Sequence, residues 1–355
     1  MRRAAVAVLA IVISISCNPL QACSTFCLKQ DGAVVYGRNY DFDIGTGVVI
    51  VNRRGVQKFS LPKKDSTTAS WVSVYGSVTF NQFGREYPMD GMNEAGLAVA
   101  LMWLDGSVYP PNDERPALGV LEWIQYQLDR YATVGEVLAH ADDVRVRGGT
   151  PLHYLIADRT GAAATIEYLD GKLVVHTGSA LPTANLTNDS YPSSLQYLRS
   201  QHAMPSGSGS LQRFARTAMM IAEPADGQNA TDRTLDILQA VKQPNTRWSA
   251  AYDLTNLEVT WTTDLTPARK SLRFAATDFA CSQPPLALDV RSPMIGDVSA
   301  KLLPWSAEEN RASMIDAYAS TSILSETPLD WIEQSAAHAE SFACVPARRT
   351  RALRP

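Results

Sequence analysis

Cys23 carries the chemistry most readily read from this sequence. If the chain is trimmed after Ala22, Cys23 holds a thiol and a free α-amine on one residue. The thiolate is the nucleophile. The amine, which titrates near neutrality, can take the thiol proton and later hand it to a leaving amine. Nucleophile and base are then joined covalently, as in the N-terminal threonine arrangement. Such a site wants a cation to favour thiolate, a carboxylate to hold the α-ammonium, and N–H donors for an oxyanion. The run Gly37-Arg38-Asn39-Tyr40-Asp41-Phe42 offers the first two. With residues 23–28 and 33–38 joined by Lys29-Gln30-Asp31-Gly32 and paired as a hairpin around Gln30–Asp31, Arg38 is expected opposite Cys23 and Asp41 over the amine. A surface Arg–Asp pair at a strand end is the competing reading of those two residues.

The trimming itself is an expectation from residues 1–22, read as a signal peptide. Arg2 and Arg3 precede an apolar run over residues 4–15, too short to span a bilayer. Leu20-Gln21-Ala22 then resembles a signal-peptidase site, so the mature protein is expected to be exported, periplasmic or secreted. Leu20-Gln21-Ala22-Cys23 also fits a lipobox loosely, and a lipidated Cys23 would have no free amine. The β-like run Ser24-Thr25-Phe26-Cys27-Leu28, without a polar tether, favours a cysteine built into a sheet.

Composition narrows the remaining classes. The chain has 355 residues, 45% hydrophobic and 19% charged, with a net charge of −4. That length and apolar content allow a large core. The mixed, slightly acidic charge gives no basic field for phosphates, so no nucleic-acid partner is expected. No later run suits a membrane span, so no stable membrane insertion is expected. Five cysteines exclude a disulfide framework, and the five histidines are too scattered for a metal site, so no cofactor is expected. His153 reads as a satisfied strand histidine, and Asn93 and Glu94 as turn residues. Cys27, four residues from Cys23, shares its face and reads as a small buried residue. Cys281 and Cys344 suit a disulfide if the compartment is oxidising.

The elements that must position these groups alternate in blocks. Strands are expected at 23–28, 33–38, 48–52, 71–79 and 97–103, with a turn over 90–96. Helices follow at 117–130 and at 134–142, the second capped by Thr133. Strands return at 152–158, 163–168 and 173–176, then helices near 192–202, 211–222 and 231–241, then strands at 247–253, 258–263 and 271–274. This order predicts a layered α+β fold, not a βαβ repeat. Residues 23–281 are read as one catalytic domain and 282–355 as a C-terminal extension. The extension is irregular and Pro-rich to 300, helical over 306–320 and 327–342, and ends in a basic tail.

Taken in order, five motifs resemble the choloylglycine hydrolase family, which includes bile salt hydrolases and penicillin V acylases. They are Cys23 with Gly37–Phe42, Asp90-Gly91-Met92-Asn93-Glu94-Ala95-Gly96-Leu97, Leu152-His153-Tyr154 with Asp158–Gly161, Leu186-Thr187-Asn188, and Arg213-Phe214-Ala215-Arg216. The resemblance covers roughly residues 23–275. It implies an N-terminal-nucleophile (Ntn) hydrolase with a four-layer αββα sandwich of two antiparallel sheets. It further implies Cys23 as nucleophile and base, Arg38 beside the thiolate, Asp41 on the amine, Asn188 as an oxyanion donor and Arg213 ordering the site. The family's second oxyanion position falls at Trp103, where bile salt hydrolases have Asn and penicillin acylases an aromatic residue. Trp103 offers a backbone N–H and an aromatic wall, unless it is simply core. The expected activity is cleavage of a linear amide C–N bond through a Cys23 acyl-thioester, with a small-molecule amide as partner and a homotetramer as the usual assembly. Penicillin V, N-acyl amides, acyl-homoserine lactones and bile salts are the substrate types considered. A non-catalytic exported binding protein or lipoprotein on the same scaffold, and an acyltransferase using the same thioester, are the alternatives.

Overall fold

The computed structural model describes residues 23–64, 66–224 and 227–345. The expected signal peptide and the basic tail lie outside the described residues. Two large sheets face each other. The first runs in the order Asn185–Leu186, Ser24–Gln30, Ala33–Asp41, Thr246–Asp253, Glu258–Thr263, Lys270–Arg273, Gly296–Asp297. The second runs Lys172–Thr177, Ala163–Leu169, Leu152–Ala157, Ala98–Trp103, Pro88–Asn93, Ser77–Asn81, Val48–Asn52, Leu286–Asp289, Leu303–Pro304. Neighbours are antiparallel except for the two-residue strand at Gly296. Helices Ser210–Ala222 and Ala230–Ala240 cover the outer face of the first sheet, and helix Val120–Arg130 covers the second. The fold is α+β, a four-layer αββα sandwich of two antiparallel sheets, the architecture that the resemblance implied.

Alternation explains the layering. Phe26, Leu28 and Val35 point outward and pack with Leu235, Ile237 and Leu238 of the covering helix. Cys23, Cys27, Tyr36 and Tyr40 point inward, into a core shared with Phe80, Met92, Trp248 and Trp261. Burying each such side chain contributes about 1.5–3 kcal/mol. Tyr40 stacks on Trp248 at 4.0 Å between ring centres, and Tyr36 Oη donates to the Leu155 carbonyl at 2.7 Å across the sheets.

Several expected boundaries move, for local reasons. The hairpin turn is the two-residue Asp31-Gly32, both with positive φ (49° and 80°), so Gln30 faces Ala33. Arg38 therefore stands opposite Thr25 and not Cys23. The shift is two positions, an even number, so Arg38 stays on the Cys23 face. The expected strand 71–79 is two, Ser70–Val72 and Ser77–Asn81, broken at Gly76, where Phe279 packs into the space a Cβ would take. Residues 90–93 are not a turn but the end of strand Pro88–Asn93, and only 94–96 turn. Residues 117–119 are a short strand, and the helix starts at Val120, where Glu122 reaches back to the Gly119 N–H. Thr133 does cap the next helix, accepting from the Glu136 N–H at 3.2 Å. The stretch 282–300 is not irregular throughout, since Leu286–Asp289 pairs with Val48–Asn52. Helices Ala307–Ser320 and Leu329–Glu340 follow as expected. Cys281 and Cys344 form a disulfide.

Candidate active site

Cys23 directly precedes the strand Ser24–Gln30 and is buried. Its Sγ lies 3.9 Å from the Asp41 carbonyl oxygen. Burial pushes the thiol pKa up. Arg38 is the strongest opposing influence, Asp41 adds to the rise, and Arg213 pulls down more weakly. Arg38 is fully buried. Burial disfavours its charge, but Cys23, Asp90, Tyr36 and Tyr40 together outweigh this and raise its pKa. Its Nη1 donates to Thr25 Oγ1 at 3.3 Å, and its Nε stands 3.5 Å from Asp90 Oδ2. Arg38 Nη2 is buried and makes no hydrogen bond, which leaves one edge of the guanidinium for an anion.

Asp41 ends the second strand of the hairpin and is fully buried. Burial pushes its carboxyl up to about 6, against the pull of Arg213, the Thr246 hydroxyl and Arg38. Oδ1 accepts from Thr246 Oγ1, while Oδ2 has no hydrogen-bond partner. An unpartnered buried carboxylate oxygen beside Cys23 is what an α-ammonium would complete. Among the described residues, no group of three or more His, Cys, Asp or Glu side chains stands together as a metal would need. No described helix is long and apolar enough to cross a membrane.

Arg213, on the helix Ser210–Ala222, ties the remaining pieces together. Its Nη1 donates to the Cys23 carbonyl at 2.7 Å and to Ser24 Oγ at 2.6 Å. Its Nη2 donates to Asn188 Oδ1 at 2.8 Å, and its Nε to the Ser208 carbonyl at 3.1 Å. One guanidinium thus joins the backbone of Cys23 to the side chain of Asn188. Burial lowers the Arg213 pKa, and Asp41 and Cys23 resist that fall. Asn188 Nδ2 donates one hydrogen to the Trp103 carbonyl at 3.0 Å, and the amide retains a second. Trp103 is half-buried, with its indole N–H on Asp105 Oδ1 at 2.5 Å. It packs against the core without being enclosed by it.

All six residues singled out in the sequence therefore share one region. Sequence reasoning missed Asp90, Thr246 and Ser210. Asp90 is fully buried, accepts from Tyr252 Oη, and faces Arg38 across the gap between the sheets. The signal was present, because an Asp inside Pro88-Met89-Asp90-Gly91-Met92 has to find a partner if that run is a buried strand. Asn93 is structural as expected: its Nδ2 serves the Leu128 and Tyr131 carbonyls, and its Oδ1 accepts from Ala95 and Leu97. Cys27 is a buried free thiol pushed up to about 12 by burial.

Known proteins resemble this chain in sequence and fold. The family of linear amide C–N hydrolases, choloylglycine hydrolase family, matches residues 23–226. The chain belongs to the choloylglycine hydrolase family. It is 39% identical over 123 residues to a penicillin V acylase of Pectobacterium atrosepticum, covering 30% of this chain and 33% of that protein. It is 29% identical over 173 residues to a bile salt hydrolase/transferase of Clostridium perfringens, covering 43% of this chain and 50% of that protein. The chain thus spans between a third and a half of the length of these curated relatives. The structure of penicillin V acylase from Agrobacterium tumefaciens superposes with a TM-score of 0.71 at 25% identity, over 80% of this chain and 98% of that one. The match to the family begins at Cys23, the residue on which the other site groups converge.

Proposed function

We propose that this protein is an exported cysteine amidohydrolase that cleaves a linear amide, R–CO–NH–R′, through an acyl-thioester on Cys23. The carrying observation is the Arg213 guanidinium, which holds the Cys23 carbonyl and the Asn188 amide at once, with Arg38 and Asp41 beside the sulfur. Once residues 1–22 are removed, the Cys23 amine takes the thiol proton and Arg38 favours the resulting thiolate. Sulfur attacks the carbonyl carbon, and the carbonyl oxygen becomes an oxyanion that accepts the free Asn188 N–H. The α-ammonium gives its proton to the departing nitrogen, the C–N bond breaks, and the amine R′NH₂ leaves. Water, deprotonated by the same amine, attacks the thioester; the acid R–COOH departs and the thiol is restored. Asp41, through Oδ2, holds the ammonium during both steps.

Trp103 beside Asn188 supports an aromatic acyl group of the penicillin V type over a bile salt. The Pectobacterium relative, a penicillin V acylase, is in line with that preference. The Cys281–Cys344 disulfide, together with the basic-then-apolar residues 2–15, supports export to an oxidising compartment.

The test combines the intact mass of the exported protein with a substrate panel. A mass beginning at an unmodified Cys23, release of amine from penicillin V, and loss of that release in Cys23→Ala support the reading. Full activity in Cys23→Ala overturns it. A lipidated Cys23 in a protein inert to thiol reagents would mean a binding lipoprotein instead. A new amide formed from an added amine, without free acid, would mean an acyltransferase.

A further inference from the structure

The backbone that carries Asn188 is gripped by a buried histidine–glutamate pair that the hydrolytic steps above leave unused. His153 and Glu167 sit on the neighbouring strands Leu152–Ala157 and Ala163–Leu169, and both side chains are fully buried. His153 Nδ1 stands 3.2 Å from Glu167 Oε1. His153 Nε2 stands 2.7 Å from the Thr187 carbonyl oxygen. A carbonyl only accepts, so Nε2 carries a hydrogen there. Glu167 Oε1 also accepts the Tyr191 N–H at 3.0 Å. The pair therefore holds this segment at residue 187 and again at residue 191, with Asn188 between.

The grip is tightest at the peptide unit that joins Thr187 to Asn188. His153 fixes its oxygen, and Ser210 Oγ accepts from its nitrogen at 2.9 Å. A planar unit held at both polar atoms leaves Asn188 little freedom about its own backbone. The outer end of the pair is also polar. His176 Nδ1 lies 3.5 Å from Glu167 Oε2 and 3.2 Å from Thr165 Oγ1. Two titratable side chains shut away from solvent are destabilising unless closely partnered.

We propose that His153 and Glu167 are positioning residues that fix the Thr187–Asn188 peptide and so aim the Asn188 amide at the oxyanion. The inference rests on the amidohydrolase reading and extends it to a shell one step further out.

The experiment measures penicillin V hydrolysis, binding of phenoxyacetaldehyde as an oxyanion-forming thiol ligand, and alkylation of Cys23 by iodoacetamide. His153→Phe keeps a ring but removes the donor. It is expected to lower kcat about 10- to 100-fold with KM within about twofold, and to weaken aldehyde binding in parallel. The alkylation rate of Cys23 stays at the wild-type value, since the nucleophile is untouched. His153→Gln, whose amide can donate to the Thr187 carbonyl, recovers most of kcat. Glu167→Gln, which keeps an acceptor for the Tyr191 N–H, serves if the phenylalanine variant does not fold, and lowers kcat several-fold. A folded His153→Phe or Glu167→Gln protein with wild-type kcat overturns the inference. So does a loss of kcat matched by an equal loss of alkylation rate. A wild-type protein that turns over no amide overturns the hydrolase reading itself.

Discussion

Asp41 sets two opposing demands at one residue. Its carboxyl is pushed up to about 6 by burial, above the ordinary value of 3.8, so the folded chain binds a proton more tightly than the unfolded one. Stability from this group is fully present below pH 3.8 and is lost as pH rises through about 6. While residue 22 is attached, Cys23 offers no ammonium to offset this, and the ionised carboxylate costs about 3 kcal/mol at neutral pH. Asp41→Asn in the untrimmed protein is therefore expected to raise the melting temperature at pH 8 and leave it unchanged near pH 3. If the protein begins at Cys23 and acts as proposed, the same substitution is expected to lower kcat/KM and remove an acidic limb at or below pH 6, read from a pH–rate profile. Asp90 presents the complementary case. Asp90→Asn leaves the Arg38 guanidinium buried without its facing carboxylate, and is expected to cost about 3–5 kcal/mol in urea unfolding. An unchanged midpoint would mean the pair contributes nothing.

The hairpin of residues 24–41 is the element on which the site depends. Its two-residue turn sets the register, and the register puts Thr25 beside Arg38 and leaves Cys23 at the open end near Asp41. Asp-Gly was legible as a turn, but the count across it was not, because a longer loop would serve the same alternation. Gly37 shows how closely the helix layer presses on this strand. A Cβ there would lie 2.7 Å from Phe26 Cε1 and 2.9 Å from Thr234 Cγ2. Gly37→Ala is expected to destabilise the fold by about 1–3 kcal/mol and to reduce kcat by displacing Arg38 next to it. Thermal melts and steady-state rates on one preparation check both. The break at Gly76 was hidden for a related reason: Phe279, some two hundred positions away, decides it.

At the scale of the whole molecule, the segment beyond residue 281 is woven into the sandwich. Leu286–Asp289 extends the second sheet, and Ala343–Cys344 pairs with Val56–Phe59. The Cys281–Cys344 bond closes that loop across 63 positions. Cys344→Ser is expected to lower stability by about 2–4 kcal/mol, mainly by freeing the unfolded chain. Because the six candidate residues lie between positions 23 and 213, whatever kcat the unaltered protein shows in the amide assay should be retained below the new melting temperature. A loss of kcat at 25 °C in a fully folded variant would show that this segment reaches the site.

Residue types and the hairpin pattern were enough to mark Cys23, Arg38 and Asp41 as candidates, since a nucleophile and its charge partners leave a short signature in the chain; Asn188, Arg213 and Trp103 came only with the family resemblance. Alternation and turn residues were enough for most strands and for the α+β class. The partners that make those residues a site come from elsewhere: Asp90 across the sheets, Thr246 at a bulge, Ser210 at a helix start, His153 and Glu167 beneath Asn188. Buried polar atoms must be satisfied by whatever the packing brings near, and packing joins positions that no local pattern connects.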